Sequence, residues 1–212
     1  MGAQYSDYFI EGIKQTLGLS LFSLLVGLVL ALVIVFMRMS EFAPISFLAK
    51  AFVELLRGTP MMVQILISYY GLDFLGISLS AFVASLIAVS LNSAAYVSEI
   101  IRSGIQSIDK GQSEAGRSLG LSKRQVMNRI ILPQAIKNIL PALGNEFVTL
   151  IKETSIASTI GVGELMFQTQ KLQSATFEAL KPLFIVSLIY FILTFGISMI
   201  MKGFERKMKY DN

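Results

Sequence analysis

In this chain of 212 residues, 54% are apolar, only 15% are charged and the mean hydropathy is +0.66, more apolar surface than a water-soluble core can hide. It has no His and no Cys, so it lacks the commonest metal ligands and the usual general base, and thiolate and disulfide chemistry are closed to it. Against that apolar background the net charge of +4 and pI near 9.3 report membrane orientation, not nucleic-acid affinity.

The first uncharged run is 15–37, between Lys14 and Arg38. A helix rises ~1.5 Å per residue and the hydrocarbon core is ~30 Å thick, so about 20 residues suffice to cross. The run is too long for a signal-peptide core and lacks both a basic start and a small-residue cleavage site, so it reads as a retained span. A basic stretch follows with Arg38, Lys50 and Arg57, and then a weaker apolar segment at 58–72, or beginning further back near Phe47. There Gln64 and Ser68 share a helical face, while Tyr69 and Tyr70 lie where interfacial anchors are common. The second long uncharged run, 74–98, lies between Asp73 and Glu99. Near its end Asn92, Tyr96 and Glu99 are spaced i, i+4, i+7 on one face. Polar groups at that depth are costly, so the stripe turns toward other helices or toward water; interhelical hydrogen bonding and solute contact both fit.

Next comes the densest basic segment, Arg102, Lys110, Arg117, Lys123, Arg124 and Arg129. Within it, residues 112–119 suit a short helix closed by Gly120 in the left-handed conformation, and Ser122 with Gln125 forms a capping box for a second helix. Ala115, Gly116 and Ser118 are small enough for another protein surface to approach that helix closely; a solvated connector is the bland alternative. Segment 130–151 contains Pro133, Lys137, Pro141 and Glu146, so it is expected to be surrounded by protein or to line a water-filled cavity. Along it Asn145, Thr149 and Glu153 follow i, i+4, i+8, and Glu146 and Glu153 are i, i+7, giving a band of acceptors. Glu153 suits pairing with a substrate ammonium or cationic group, or with the adjacent Lys152. The loop 152–181 carries Gly161 and Gly163, and a third uncharged run, 182–201, ends at Lys202, Arg206, Lys207 and Lys209.

If all three basic clusters lie on the cytoplasmic side, an even number of crossings must separate each pair. Each interval holds one strong run, so 58–72 and 130–151 are needed as partners. The expectation is an all-α integral membrane protein with five spans, N-terminus outside and C-terminus cytoplasmic, in one domain over 1–212. No G-x-x-x-x-G-K-[ST] phosphate loop occurs, and the four aspartates, Asp7, Asp73, Asp109 and Asp211, form no plausible catalytic pair, so the chain is expected not to be an enzyme. Five helices are few for enclosing a solute pathway, which favours two subunits facing each other.

Glu114-Ala115-Gly116, Gly120, Ile130 and Leu132-Pro133 have the spacing EAA-x3-G-x9-I-x-LP, with Gly116 in place of the third alanine. This resembles the EAA loop of ABC-importer permeases. The segments Glu54 to Pro60 with Gln64, Tyr96 to Glu99 with Arg102, Gly111-Gln112, and Lys152 to Ile156 are similar to the polar amino acid branch of that family. The resemblance covers most of 52–165. It implies a type I importer permease of the bacterial inner membrane, working as a homodimer or heterodimer with two cytoplasmic ATPase subunits and an extracytoplasmic binding protein. The EAA loop at about 109–129 would be the ATPase socket through Glu114, Ala115, Gly116 and Gly120. No cofactor is expected on this chain itself, ATP and Mg belonging to the ATPases. The substrate pathway is expected to draw on Gln64, Asn92, Tyr96, Asn145, Thr149 and Glu153, for a basic or amide amino acid. A permease for another small solute, or an ion-gradient secondary transporter, is the alternative; the latter usually has more helices or inverted repeats in one chain.

Overall fold

A computed structural model describes residues 2–210, with side chains over 6–206. Met1, Asp211, Asn212 and the side chains of Lys207 and Lys209 in the last basic cluster lie outside the described residues. No β-strand occurs among the described residues. Helix α1 (Gly2–Arg38) is followed by α2 (Ala43–Gly58) and α3 (Met61–Phe74), then α4 (Ala81–Gln106) and the short α5 (Lys110–Ser118). Helical run α6 covers 123–153, with a π-type turn at Met127–Ile131 ahead of its main part, Leu132–Glu153. A 3₁₀ turn (Thr154–Ile160), α7 (Leu165–Thr176) and α8 (Leu180–Tyr210) complete the chain.

Three stretches are long and apolar enough to cross a membrane, Ser6–Arg38, Ala81–Gln106 and Leu180–Arg206, and a fourth if α2 and α3 form one broken span. The main part of α6 has the length, but it carries Lys137, Glu146, Lys152 and Glu153. The weaker segment expected over 58–72 is occupied by α3, whereas a start further back near Phe47 would take in α2, which a sharp bend sets off from α3. Helices α2 and α3 meet at 108°. Pro60 has no N–H and drives the residue before it out of the helical region, and Thr59 is accordingly extended at φ −115°, ψ 145°.

Helix α4 is the centre of the assembly: in its most apolar window 61% of residues are buried, against 6% for α8. The reason is side-chain size. Ala84, Ser85, Ala88, Ser90, Ser93, Ala94 and Ala95 are all buried, and small residues let neighbouring backbones come close where apolar lipid gives helices no hydrophobic reason to associate. Helix α1 answers with Gly27. A Cβ built there would lie 2.9 Å from the Ser93 Cβ and 3.2 Å from the Ser90 carbonyl oxygen. Hydroxyls buried along α1 can be satisfied within the helix, as where Ser20 Oγ donates to the Thr16 carbonyl four residues back at 2.7 Å. Elsewhere α8 docks on α6 at Gly144, where a Cβ would be 2.4 Å from the Met201 Cε.

Gly27→Val should therefore force α1 off α4, an overpacking cost of about 1–3 kcal/mol. Thermal unfolding of the purified, detergent-solubilised protein should occur at a lower temperature than in wild type; an unchanged midpoint would mean the helices do not approach at this point.

Candidate functional site

The broken span leaves the last carbonyls of α2 without intrahelical donors. Gln64 supplies them. Its Nε2 lies 2.8 Å from the Leu56 carbonyl, 3.1 Å from that of Thr59 and 2.9 Å from Thr59 Oγ1. Asn92, buried on α4, donates to Gln64 Oε1 at 3.0 Å and reaches the Leu56 carbonyl at 3.3 Å. Gln64 and Asn92 are thus brought together across two helices, with their amides committed to the corner between α2 and α3. Of the two readings open for Asn92, the structure favours the interhelical one.

Tyr96 and Glu99 diverge from that corner. Tyr96 is partly exposed, and the Arg57 guanidinium lies 5.3 Å from its ring centroid, a cation–π arrangement. Glu99 accepts from Arg38 Nη1 at the end of α1 at 2.6 Å and also from Arg102, which in turn bonds Gln106. The sequence gives little sign of this clamp, since Arg38 and Glu99 are far apart in the chain and only the Glu99–Arg102 spacing hints at it.

On α6 the situation is reversed. Asn145 is exposed, Glu146, Thr149 and Glu153 are half-buried, and among the described residues none of these side chains has a hydrogen-bond partner in the chain. Lys152 is exposed beside Glu153. Directly after this band the helix tightens into the 3₁₀ turn, where hydroxyls cover freed carbonyls: Thr154 donates to Ile151 at 3.0 Å, Ser155 to Lys152 at 2.6 Å, and Ser158 to Ser155 at 2.8 Å. The Lys152-Glu-Thr-Ser-Ile156 stretch is therefore half acceptor band and half helix terminator. Gly161 takes φ +90° at its end.

The segment 109–129 folds as a built elbow. Asp109 Oδ1 accepts from the Gly111 N–H at 2.7 Å and starts α5. Gly120, at φ +83°, closes it, with its N–H on the Arg117 carbonyl at 3.0 Å and the Leu121 N–H on the Gly116 carbonyl at 3.2 Å. The capping box is present in both halves: the Gln125 N–H donates to Ser122 Oγ at 3.3 Å, and the Ser122 N–H to Gln125 Oε1 at 2.8 Å. One feature of the expected small face is corrected. Gly116 points inward, where a Cβ would stand 2.7 Å from Ile130 Cδ1 and 3.0 Å from Val126 Cγ2, so its smallness serves the packing of α5 on α6. Glu114, Ala115 and Gly120 are exposed, as is Leu119, which is 82% accessible. Leu119 is an apolar tip that no motif in the sequence marks.

Glu164 likewise lacks a sequence signal. Fully buried, it caps α7 by accepting from the Met166 and Phe167 N–H groups at 2.9 and 2.7 Å, and it takes a hydrogen bond from the Tyr190 hydroxyl of α8 at 3.0 Å. Thr16 of α1 accepts from the neighbouring Leu165 N–H at 3.2 Å. The cluster ties α7 to α1 and α8. Among the described residues no group of three His, Cys, Asp or Glu is placed to hold a metal ion.

Comparison with known proteins points the same way. Residues 23–210 match the family described as the binding-protein-dependent transport system inner membrane component. The chain is 43% identical over 206 residues to the arginine transport system permease protein ArtQ of Bacillus subtilis (strain 168), covering 97% of this chain and 94% of that one. It is 39% identical over 202 residues to the glutamine transport system permease protein GlnP of Escherichia coli (strain K12), with 94% and 92% covered. Among solved structures, an amino acid ABC transporter crystallised with histidines superposes with TM-score 0.94 at 44% identity over 97% of this chain and 96% of that one. The MetNI methionine ABC transporter in an inward-facing form superposes with TM-score 0.79 over 98% and 99% at 18% identity, a likeness of fold. The chain belongs to the binding-protein-dependent transport system inner membrane component family, as an amino acid ABC permease subunit of the multi-pass, bacterial inner-membrane kind with the type I importer fold.

Proposed function

We propose that this permease carries a basic or amide amino acid inward along a pathway formed with a second permease subunit, identical or closely related. Two cytoplasmic ATPases would drive it through the 109–129 elbow, and an extracytoplasmic binding protein would deliver the solute. The chain acts as one domain and binds no cofactor of its own; ATP and Mg stay with the ATPases. Five crossings place the N-terminus outside and the C-terminus inside, with α6 as the crossing that faces protein and water.

The observation that carries this reading is the unpartnered acceptor band on α6. Asn145, Glu146, Thr149 and Glu153 keep free lone pairs, so an ammonium or guanidinium entering beside them finds acceptors already in place. Gln64 and Asn92 enter indirectly, by fixing the corner from which α3 rises, and Tyr96 faces the same open side as Arg57. The elbow suits coupling because its parts are stiff: α5 is capped at both ends and pinned to α6 through Gly116, which leaves Glu114, Ala115, Leu119 and Gly120 as the presented edge. A push on that edge passes into α6, which carries the acceptor band. Arginine and glutamine, the solutes in the names of relatives, fit such a band.

Single cysteines replacing the exposed Tyr8, Glu11 or Lys14, or Leu75, Ile77 or Ser78, should react with a membrane-impermeant maleimide in intact cells, whereas cysteines at 115–120 should not; labelling at 115–120 would invert the topology. Glu153→Gln should lower uptake of a cationic amino acid by about tenfold or more, the size of a lost charge-assisted hydrogen bond, in complexes that assemble normally. Normal uptake of every amino acid tried would remove Glu153 from the pathway. Gly120→Val places a β-branched residue at positive φ, a strain of about 1–3 kcal/mol that redirects the capping-box helix. In vesicles holding equal amounts of permease, ATP hydrolysis should no longer be stimulated by solute and uptake should fail; coupling equal to wild type would make the loop an ordinary connector.

A further inference from the structure

Between α2, α4 and α6 a cleft of 420 Å³ opens near the cytoplasmic ends of these helices, within the roughly 300–1,000 Å³ range of small-molecule sites. Its polar wall consists of Arg57, Tyr96, Glu99, Ser103, Ser107 and Asn138. The charges are unequally settled. Glu99, the carboxylate lining the cleft, is already held by two guanidiniums, those of Arg38 and Arg102. Asn138 donates to Ser107 at 2.9 Å, so these two face the cleft as a joined pair. Arg57 is different: its guanidinium rests 5.3 Å from the Tyr96 ring centroid, and among the described residues no carboxylate lies within ion-pair distance of it. A guanidinium stacked on an aromatic ring keeps its rim of N–H donors free in a fixed fork, the geometry that takes a carboxylate with two parallel hydrogen bonds. With Glu99 offset by two arginines and Arg57 unpaired, the wall of the cleft is net positive and selects an anion.

We propose that this cleft is a carboxylate subsite, in which Arg57, held against Tyr96, takes the α-carboxylate of the amino acid on the cytoplasmic part of its path. This rests on the amino-acid permease reading and adds to it a division of labour. The acceptor band around Glu153 reads what is cationic or amide in the solute, while Arg57 reads the group that every amino acid shares. The same guanidinium could serve a phosphate headgroup of an anionic lipid, and the test separates the two.

The experiment measures binding of radiolabelled arginine and glutamine to the purified permease–ATPase complex without binding protein, with the unlabelled amino acids and then argininamide and glutaminamide as competitors. Wild type should prefer the free acid over its amide by about tenfold or more, as expected for a hydrogen-bonded charge pair. Arg57→Gln should bring that ratio close to one, Tyr96→Leu should reduce it, and Arg57→Lys, which keeps charge but loses the fork, should retain part of it. If Arg57→Gln does not assemble, Arg57→Lys and Tyr96→Leu carry the test through the same ratio. A preference unchanged in these variants overturns the subsite while leaving the permease reading intact. The subsite also falls if Arg57→Gln alters only the dependence of uptake on phosphatidylglycerol against phosphatidylcholine vesicles, for then the guanidinium serves a lipid. Failure of wild type to bind either amino acid would overturn the subsite, and uptake by the complex with its binding protein in vesicles then tests the permease reading separately.

Discussion

A backbone inside a bilayer has no water to fall back on, and each freed carbonyl or amide must find its partner within the protein. Wherever this chain departs from a straight helix, that rule decides which side chain stands nearby. The corner at Thr59–Pro60 exposes the last carbonyls of α2, and Gln64 is placed to meet them with Asn92 bracing it from α4. At the far end of α6 the tightening into a 3₁₀ turn is covered by the hydroxyls of Thr154, Ser155, Ser158 and Thr159. Helix α7 begins on Glu164, buried completely, because two backbone N–H groups there would otherwise go unmet.

Once those obligations are met, the charged and amide side chains around the candidate site fall, among the described residues, into two sets. One set is closed on itself, as with Glu99 between Arg38 and Arg102, or Asn138 with Ser107. The other is open: the acceptors of α6 and the guanidinium of Arg57. Desolvating an open group without a partner costs free energy, so its persistence in an apolar fold points to a partner that arrives from outside the chain. Opposite charges of the open set lie on different helices, Arg57 on α2 and Glu146 and Glu153 on α6.

The amino-acid order makes some of this plain and hides the rest for physical reasons. The long spans can be read because an uncharged run of sufficient length has few other uses: α1 and α8 contain the runs expected of them, whereas α4 begins only at Ala81 within the 74–98 run and continues past Glu99 and Arg102 to Gln106. The elbow is legible from Asp109 to Gln125 because capping is local chemistry, set by residues three or four apart. What cannot be read is pairing over distance. Nothing in the spacing of Asn92 says that its partner is Gln64, 28 residues earlier, or that Arg38 reaches Glu99 across 61. The inward turn of Gly116 belongs to the same class, since its smallness answers Val126 and Ile130 of the next helix and carries no mark of which neighbour it serves. The sharpness of the bend after Gly58 is also concealed, although Pro60 marks its place.

The Arg38–Glu99–Arg102 clamp also bears on motion. It joins the C-terminal end of α1 to that of α4, while Gly27 presses the same two helices together further along and Thr16, through Leu165, links α1 to the start of α7. Fastened at several heights, α1 and α4 cannot slide or splay with respect to each other without breaking an ion pair or opening a close contact. Any rearrangement of the chain must then carry them as one block. Rearrangement then falls on joints outside this pair, of which the left-handed Gly161 after the 3₁₀ turn is one.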